Sequence, residues 1–158
     1  MYGAAIEGEL TTMTNAEHFK KLENMYLSAP ANAYYAPSIA ISKGRAEVRI
    51  PIEPKLFHAA GAAHGAVYFK AVDDAAFFAV NSLVTDVFVL TTHLNVYLIR
   101  PISTGEITAI GNVVHASKNL YIAESVLTDT EGREIGRGSG TFVRSKIPLG
   151  PDVGYTLE

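Results

Sequence analysis

Three charged side chains, Lys70, Asp73 and Asp74, stand inside the run from Phe57 to Val84, which is otherwise built almost entirely of apolar and small residues. Charged groups are seldom buried unless they are paired or used. Lys70 lies four residues before Asp74, the spacing at which oppositely charged side chains meet along one helix face, so a Lys70–Asp74 ion pair is predicted. Consecutive helix positions differ in direction by about 100°, so Asp73 cannot share that environment. It falls on a stripe with Ala66, Phe69, Ala76, Phe77 and Val80, where it lacks a local partner and burial should raise its pKa. A carboxylate tuned upward in this way suits general-base chemistry near neutral pH.

The turn before this helix reads His58-Ala-Ala-Gly61-Ala-Ala-His64-Gly65. Its small residues allow close backbone approach, and the first N–H groups of the helix, near Gly65, have no intrahelical acceptor. Such donors, at the positive end of the helix dipole, are placed to hold a carbonyl oxygen or oxyanion. The same composition also fits a helix start chosen only for packing. His64 and Asp73 are nine positions apart, a rotation of about 180° and a rise of about 13 Å, so the two side chains cannot meet on one helix. If both act in one site, a second copy of the chain must complete it, which makes a two-fold dimer a requirement of that chemistry. Further on, Thr91, His93, Asn95 and Tyr97 share one parity of a strand, which either faces water or lines a site.

Several chemistries fall away. A chain without cysteine has no thiolate nucleophile, disulfide or Cys-ligated metal site. His18, His93 and His115 have no partners at recognised ligand spacing, so no metal is expected. Ser139 lies in the wrong frame for a nucleophile elbow, and the surrounding glycines sit in a strand pattern and not before a helix, which excludes a dinucleotide fingerprint. A formal net charge of −3 argues against a general nucleic-acid binder. No apolar run is long enough to span a bilayer, and the first residues lack a secretory pattern, so a cytoplasmic protein with no membrane partner is expected.

The elements that must position these residues follow from periodicity. Thr14 and Glu17 have capping-box spacing ahead of Phe19, Leu22, Met25, Tyr26 and Ala29, which predicts an amphipathic helix closed by Pro30. Residues 38–52 alternate as two strands about a Lys43-Gly44 turn. The apolar helix is predicted from about His64 to about Leu83. Strands then follow over 86–100, 106–116, 120–128 and 133–144, with connections short enough to predict a four-stranded antiparallel meander. An α+β fold results, in which a sheet of about six strands curls around a helix that has no solvent side. Gly136, Gly138 and Gly140 occupy alternate strand positions, from either strand curvature or the close approach of a backbone or ligand. One domain over 1–158 is expected, with 1–13 and 147–158 flexible.

On these residues the chain resembles the hotdog-fold acyl-CoA thioesterases, in particular the PaaI-type, phenylacetate-pathway branch. That branch carries Asn, two residues, Gly, two residues, His-Gly-Gly, and an Asp nine positions after the His. Here His58, Gly61, His64, Gly65, Ala66 and Asp73 occupy those places. A Ser or Thr eighteen positions beyond the Asp falls on Thr91, a Tyr-Leu-Arg-Pro-like run on Tyr97 to Pro101, and an Asp-x-x-Gly-Arg then Gly-x-Gly-Thr-Phe pattern on Asp129 to Arg133 and Gly138 to Phe142. The resemblance covers about 38–144. It implies hydrolysis of an acyl-CoA thioester, with the Gly65 amide polarising the carbonyl and Asp73 of the partner subunit as base or nucleophile. Thr91 would orient water or the carboxylate, and His64 would help hold the thioester. Arg100, Lys118 and Arg144 are candidates for the nucleotide end of coenzyme A, which is part of the substrate; no separate cofactor is implied. A homodimer, or a dimer of such dimers, is implied. His58 for Asn and Ala66 for Gly depart from the pattern, and a histidine there can donate a hydrogen bond as asparagine would but is bulkier. A non-catalytic acyl-CoA-binding protein is the alternative, and a hotdog dehydratase or hydratase fits the fold but matches the His-Gly-then-Asp spacing less well.

Overall fold

The computed structural model describes residues 12–158, so the expectation for the first residues falls largely outside it. Helix α1 (Asn15–Ser28) starts on the predicted capping box: the Glu17 amide donates to Thr14 Oγ1 at 3.2 Å and the Thr14 amide donates to Glu17 Oε2 at 2.8 Å. A single turn, α2 (Asn32–Tyr35), leads into the hairpin β1 (Ser38–Ser42) and β2 (Arg45–Pro51). The long helix α3 spans Gly65–Asn81, and β3 (Val87–Leu98), β4 (Glu106–Ala116), β5 (Tyr121–Thr128) and β6 (Glu134–Pro148) complete the chain's regular elements.

All strand pairs are antiparallel, in the order β1-β2-β4-β5-β6-β3. The expected meander of four strands is therefore a meander of three, β4-β5-β6, with β3 paired to β6 at the sheet edge. The reason is the segment after β3. Ile99 and Arg100 donate to the Ile135 carbonyl, the Ala63 amide donates to Ile102, and the Ile52 amide donates to Gly105. These bonds carry the chain across the N-terminal end of α3, so that β4 enters beside β2 and not beside β3.

The sheet wraps α3 as expected. Val48 and Ile50 of β2, Ile107 and Ala109 of β4, and Leu127 of β5 are fully buried with Ala71, Val72 and Ala75 of the helix. Small helix residues let the sheet come close: a Cβ on Gly111 would lie 2.2 Å from the Ala75 carbonyl oxygen. The strand glycines serve the same close approach, since a Cβ on Gly138 would meet the Asn95 oxygen at 2.3 Å and Val72 at 2.9 Å. One expectation needs correction. The helix does have an open side, because Ala66 is exposed and Phe69 is 50% exposed where the sheet does not reach.

The C-terminal tail also departs from the looseness expected after Ile147. Strand β6 runs on to Pro148, a 3-10 turn forms at Pro151–Val153, and Tyr155 is buried. The tail is tied down by a side chain that the periodicity of α1 leaves ambiguous. His18 Nε2 donates to the Asn81 carbonyl at 3.0 Å, so Nδ1 of the neutral ring is left to accept from the Tyr155 hydroxyl at 2.6 Å. Burial lowers the His18 pKa, which keeps that neutral form.

Candidate active site

Asp73 and Thr91 come together because the turn after α3 is clamped. Asn81, fully buried, donates to the Val84 and Val87 carbonyls at 3.0 and 3.2 Å and accepts from the Val89 amide at 3.2 Å. That clamp lays β3 back along the helix, and Thr91 Oγ1 donates to Asp73 Oδ1 at 2.9 Å. Burial raises the Asp73 pKa, and the Thr91 hydrogen bond offsets part of that rise by favouring the charged form. The neighbouring acid is satisfied quite differently. Asp74 Oδ2 accepts from Lys70 Nζ at 2.7 Å, as predicted, and also from the Tyr26 hydroxyl at 2.6 Å. Burial raises the Asp74 pKa as well, against the opposing pull of Lys70, and the Tyr26 hydroxyl is pushed well above its ordinary value by burial and the adjacent carboxylate.

At the other end of α3, the Phe57–Ala63 bridge and the bond from the His64 amide to Leu56 hold the helix start rigid, with Gly61 at φ +80° closing the turn. His64 caps the helix itself: its Nδ1 accepts from the Ala66 amide at 2.9 Å, and its carbonyl accepts from Val67. His58 Nδ1 accepts from the Ala60 amide at 3.1 Å. With Nδ1 occupied as an acceptor in both rings, each presents Nε2–H as an outward donor. The Gly65 N–H has no acceptor among the described residues. Gly65, His58, Tyr68 and Arg100 line a hollow of about 230 Å³.

His58, Gly65 and Arg100 thus line the hollow at the N-terminal end of α3, His64 faces a separate surface hollow with Tyr34 and Phe57, and Asp73 and Thr91 meet further along the helix. Lys118 lies exposed in the β4–β5 turn, and Arg144 is ion-paired with Asp86, so neither joins the hollow beside Gly65. Sequence reasoning missed Tyr26 and Asn81. Tyr26 had a usable signal, since a tyrosine on a buried stripe needs a partner for its hydroxyl. His93 and His115 are exposed on their strands, and among the described residues no group of three or more His, Asp or Glu could hold a metal. No described helix is long and apolar enough to cross a membrane.

A six-stranded antiparallel sheet wrapped around one long helix defines a hotdog-fold protein. The family model described as the thioesterase superfamily matches residues 60–135, which span the turn before α3 through the start of β6. Over those residues the chain is similar to that superfamily. A candidate esterase of Saccharolobus solfataricus is 27% identical over 103 residues, which are 65% of this chain and 69% of that protein. Among solved structures, the E. coli PaaI protein of the phenylacetic acid degradation operon superimposes with a TM-score of 0.74 at 18% identity, over 83% of this chain and 97% of that one. A thioesterase of Haemophilus influenzae gives 0.70 at 18% identity, over 76% and 85%. At these identities the two structures establish the fold.

Proposed function

We propose that the protein hydrolyses acyl-CoA thioesters, at a site made where the Gly65 end of one subunit meets Asp73 of another. The observation that carries this reading is the desolvated Asp73 carboxylate held by Thr91, on a helix whose free Gly65 amide lies about 12 Å away along the axis. The thioester carbonyl accepts from the Gly65 N–H, with His64 Nε2–H and His58 Nε2–H as nearby donors. Charge developing on that oxygen in the transition state is stabilised by fixed donors that need no reorganisation. Asp73 of the partner takes a proton from the attacking water or attacks the carbonyl itself, and Thr91 holds its carboxylate in place.

The exposed surface supports the two-subunit site. Strand β3 is a sheet edge with one side unpaired, Tyr97 is 64% exposed and Leu98 56%, and Phe69 is 50% exposed on α3. A long edge with apolar side chains is an invitation to pair with another chain. The superfamily match and the esterase and thioesterase names among the relatives support hydrolysis. Arg100, beside the Gly65 hollow, is the basic residue best placed for the phosphates of coenzyme A. Replacement Asp73→Asn should cut kcat on a responsive acyl-CoA by at least about hundredfold. It should leave the protein folded and no less stable at neutral pH, because it removes a charge that burial disfavours. Near-normal turnover by that variant would remove Asp73 from the reaction and overturn the proposed site, whereas wild-type binding without turnover would favour a binding protein.

A further inference from the structure

A well-formed cavity lies on the Asp73 side of α3. It holds about 500 Å³ between α1, α3 and the C-terminal tail. That volume is within the usual range for small-molecule sites. Along the helix it is lined by Lys70, Asp73, Asp74, Phe77 and Phe78, so Asp73 opens onto a space with aromatic walls. Its other wall is the tail, through Asp152, Val153 and Gly154.

The tail is fixed in that position at three points. The Leu149 amide donates to Asp86 at 3.0 Å, which anchors the tail beside the start of β3. Gly154 packs on α1 so closely that a Cβ would lie 2.4 Å from Ser28 Oγ, in a backbone conformation at φ +79° that also favours glycine. Beyond it, Tyr155 meets His18, and Asn24 Nδ2 donates to the Thr156 carbonyl at 2.8 Å. The tail therefore crosses from the strand edge to α1 as a pinned strap. It lies outside the residues that the superfamily match covers.

We propose that this cavity receives the acyl group and that the tail, through Val153, is the wall that limits acyl length. Its charge selects an uncharged acyl group: Asp73, Asp74 and Asp152 outnumber the single ammonium of Lys70, which is already held by Asp74, so an anionic acyl end is repelled. The kinetic form of the test rests on the hydrolase reading, and a binding form does not. In the full-length chain, Val153→Phe fills the cavity and Val153→Ala enlarges it. The ratio of kcat/KM for decanoyl-CoA to that for butyryl-CoA should fall about tenfold or more in the first variant and rise in the second, since each methylene that a pocket accepts or refuses is worth roughly tenfold or more.

The non-hydrolysable thioethers S-decyl-CoA and S-butyl-CoA, measured by calorimetry, should show the same shifts in relative affinity. They also read the cavity if Val153→Phe lowers activity by disturbing the fold, because Val153→Ala removes atoms and adds no bulk. If the wild-type chain hydrolyses no thioester but the thioether ratio shifts, the hydrolase reading falls and the cavity assignment stands. If turnover is seen and neither variant changes the ratio, the cavity assignment is overturned.

Discussion

Thr91 Oγ1 donates to Asp73 Oδ1 at 2.9 Å, joining an edge strand to the central helix across eighteen residues of sequence. The bond favours the ionised carboxylate, whereas burial disfavours it and raises its pKa. Thr91→Val removes the favourable contribution alone, so the Asp73 pKa should rise further. If the carboxylate is the working form, activity is lost as pH falls through that pKa. The acid limb of kcat/KM should therefore move to higher pH in the variant, with kcat down about ten- to hundredfold at neutral pH, the worth of a hydrogen bond to a charged group. A pH–rate profile with an unmoved acid limb would remove Asp73 from the proton-transfer step.

The Gly65 amide can be deleted without deleting the helix. Gly65 is the first residue of α3, where proline is well tolerated because the missing N–H was an orphan already. His64 ahead of it is extended, at φ −61° and ψ 146°, a conformation that a following proline favours. A Cβ at this position would meet only the flexible Leu98 Cδ2, at 3.2 Å. Gly65→Pro should keep the circular dichroism spectrum and melting temperature while kcat falls about 10²- to 10³-fold, as for removal of one oxyanion donor. Mixing this variant with Asp73→Asn and allowing subunits to exchange should restore about a quarter of wild-type activity, because half the dimers then carry one intact site. No recovery on exchange would put both groups in the same chain's site.

What could be read from the sequence was what is local. The Thr14–Glu17 box, the Lys70–Asp74 pair and the strand limits of β4 and β5 all depend on residues within a few positions of one another. The place of β3 was not legible, because it depends on bonds from residues 99–105 to the Ile135 carbonyl and to the ends of β2 and α3. Asp73 could be singled out as an acid without a helix partner, yet its partner Thr91 came from family resemblance and not from spacing. Tyr26 reaches Asp74 over forty-eight residues, and His18 reaches Tyr155 over 137, distances at which periodicity carries no information. The open stripe at Ala66 and Phe69 was hidden for another reason: hydropathy reports what should be covered, not by which chain.

Gly111 sits in β4, between β2 and β5, where α3 crosses the sheet. A methyl group there would stand 2.2 Å from the Ala75 oxygen, 2.3 Å from its carbonyl carbon and 2.7 Å from the Ala76 nitrogen. These are backbone atoms, so no rotamer change relieves the clash and the helix must lift from the sheet. Gly111→Ala should cost about 3 kcal/mol, the upper end for overpacking a core. For a domain of this size, that lowers the melting temperature by roughly 10 °C. A thermal melt within about 2 °C of wild type would show that α3 can shift on the sheet at little cost.

The Tyr26–Asp74–Lys70 cluster should respond unequally to loss of its two charges. The Lys70 and Asp74 side chains are only 16% and 15% exposed, and the Lys70 ammonium also stands 5.4 and 5.0 Å from the centres of the Tyr26 and Tyr35 rings. Lys70→Met leaves Asp74 as a buried carboxylate with the Tyr26 hydroxyl as its remaining donor, and should cost about 3 kcal/mol at neutral pH. Asp74→Asn should cost less, because the long lysine stem can carry its ammonium to water. The sign of the pH dependence separates charge from packing. Burial already raises the Asp74 pKa, and removing Lys70 raises it further, so the lone carboxylate takes up a proton as pH falls and ceases to be a buried charge. In urea melts, the Lys70→Met deficit should therefore shrink on acidification, and the double variant with Asp74→Asn should recover much of the loss at neutral pH. A deficit equal at both pH values would assign the effect to the lysine stem packed against Tyr26 and Tyr35.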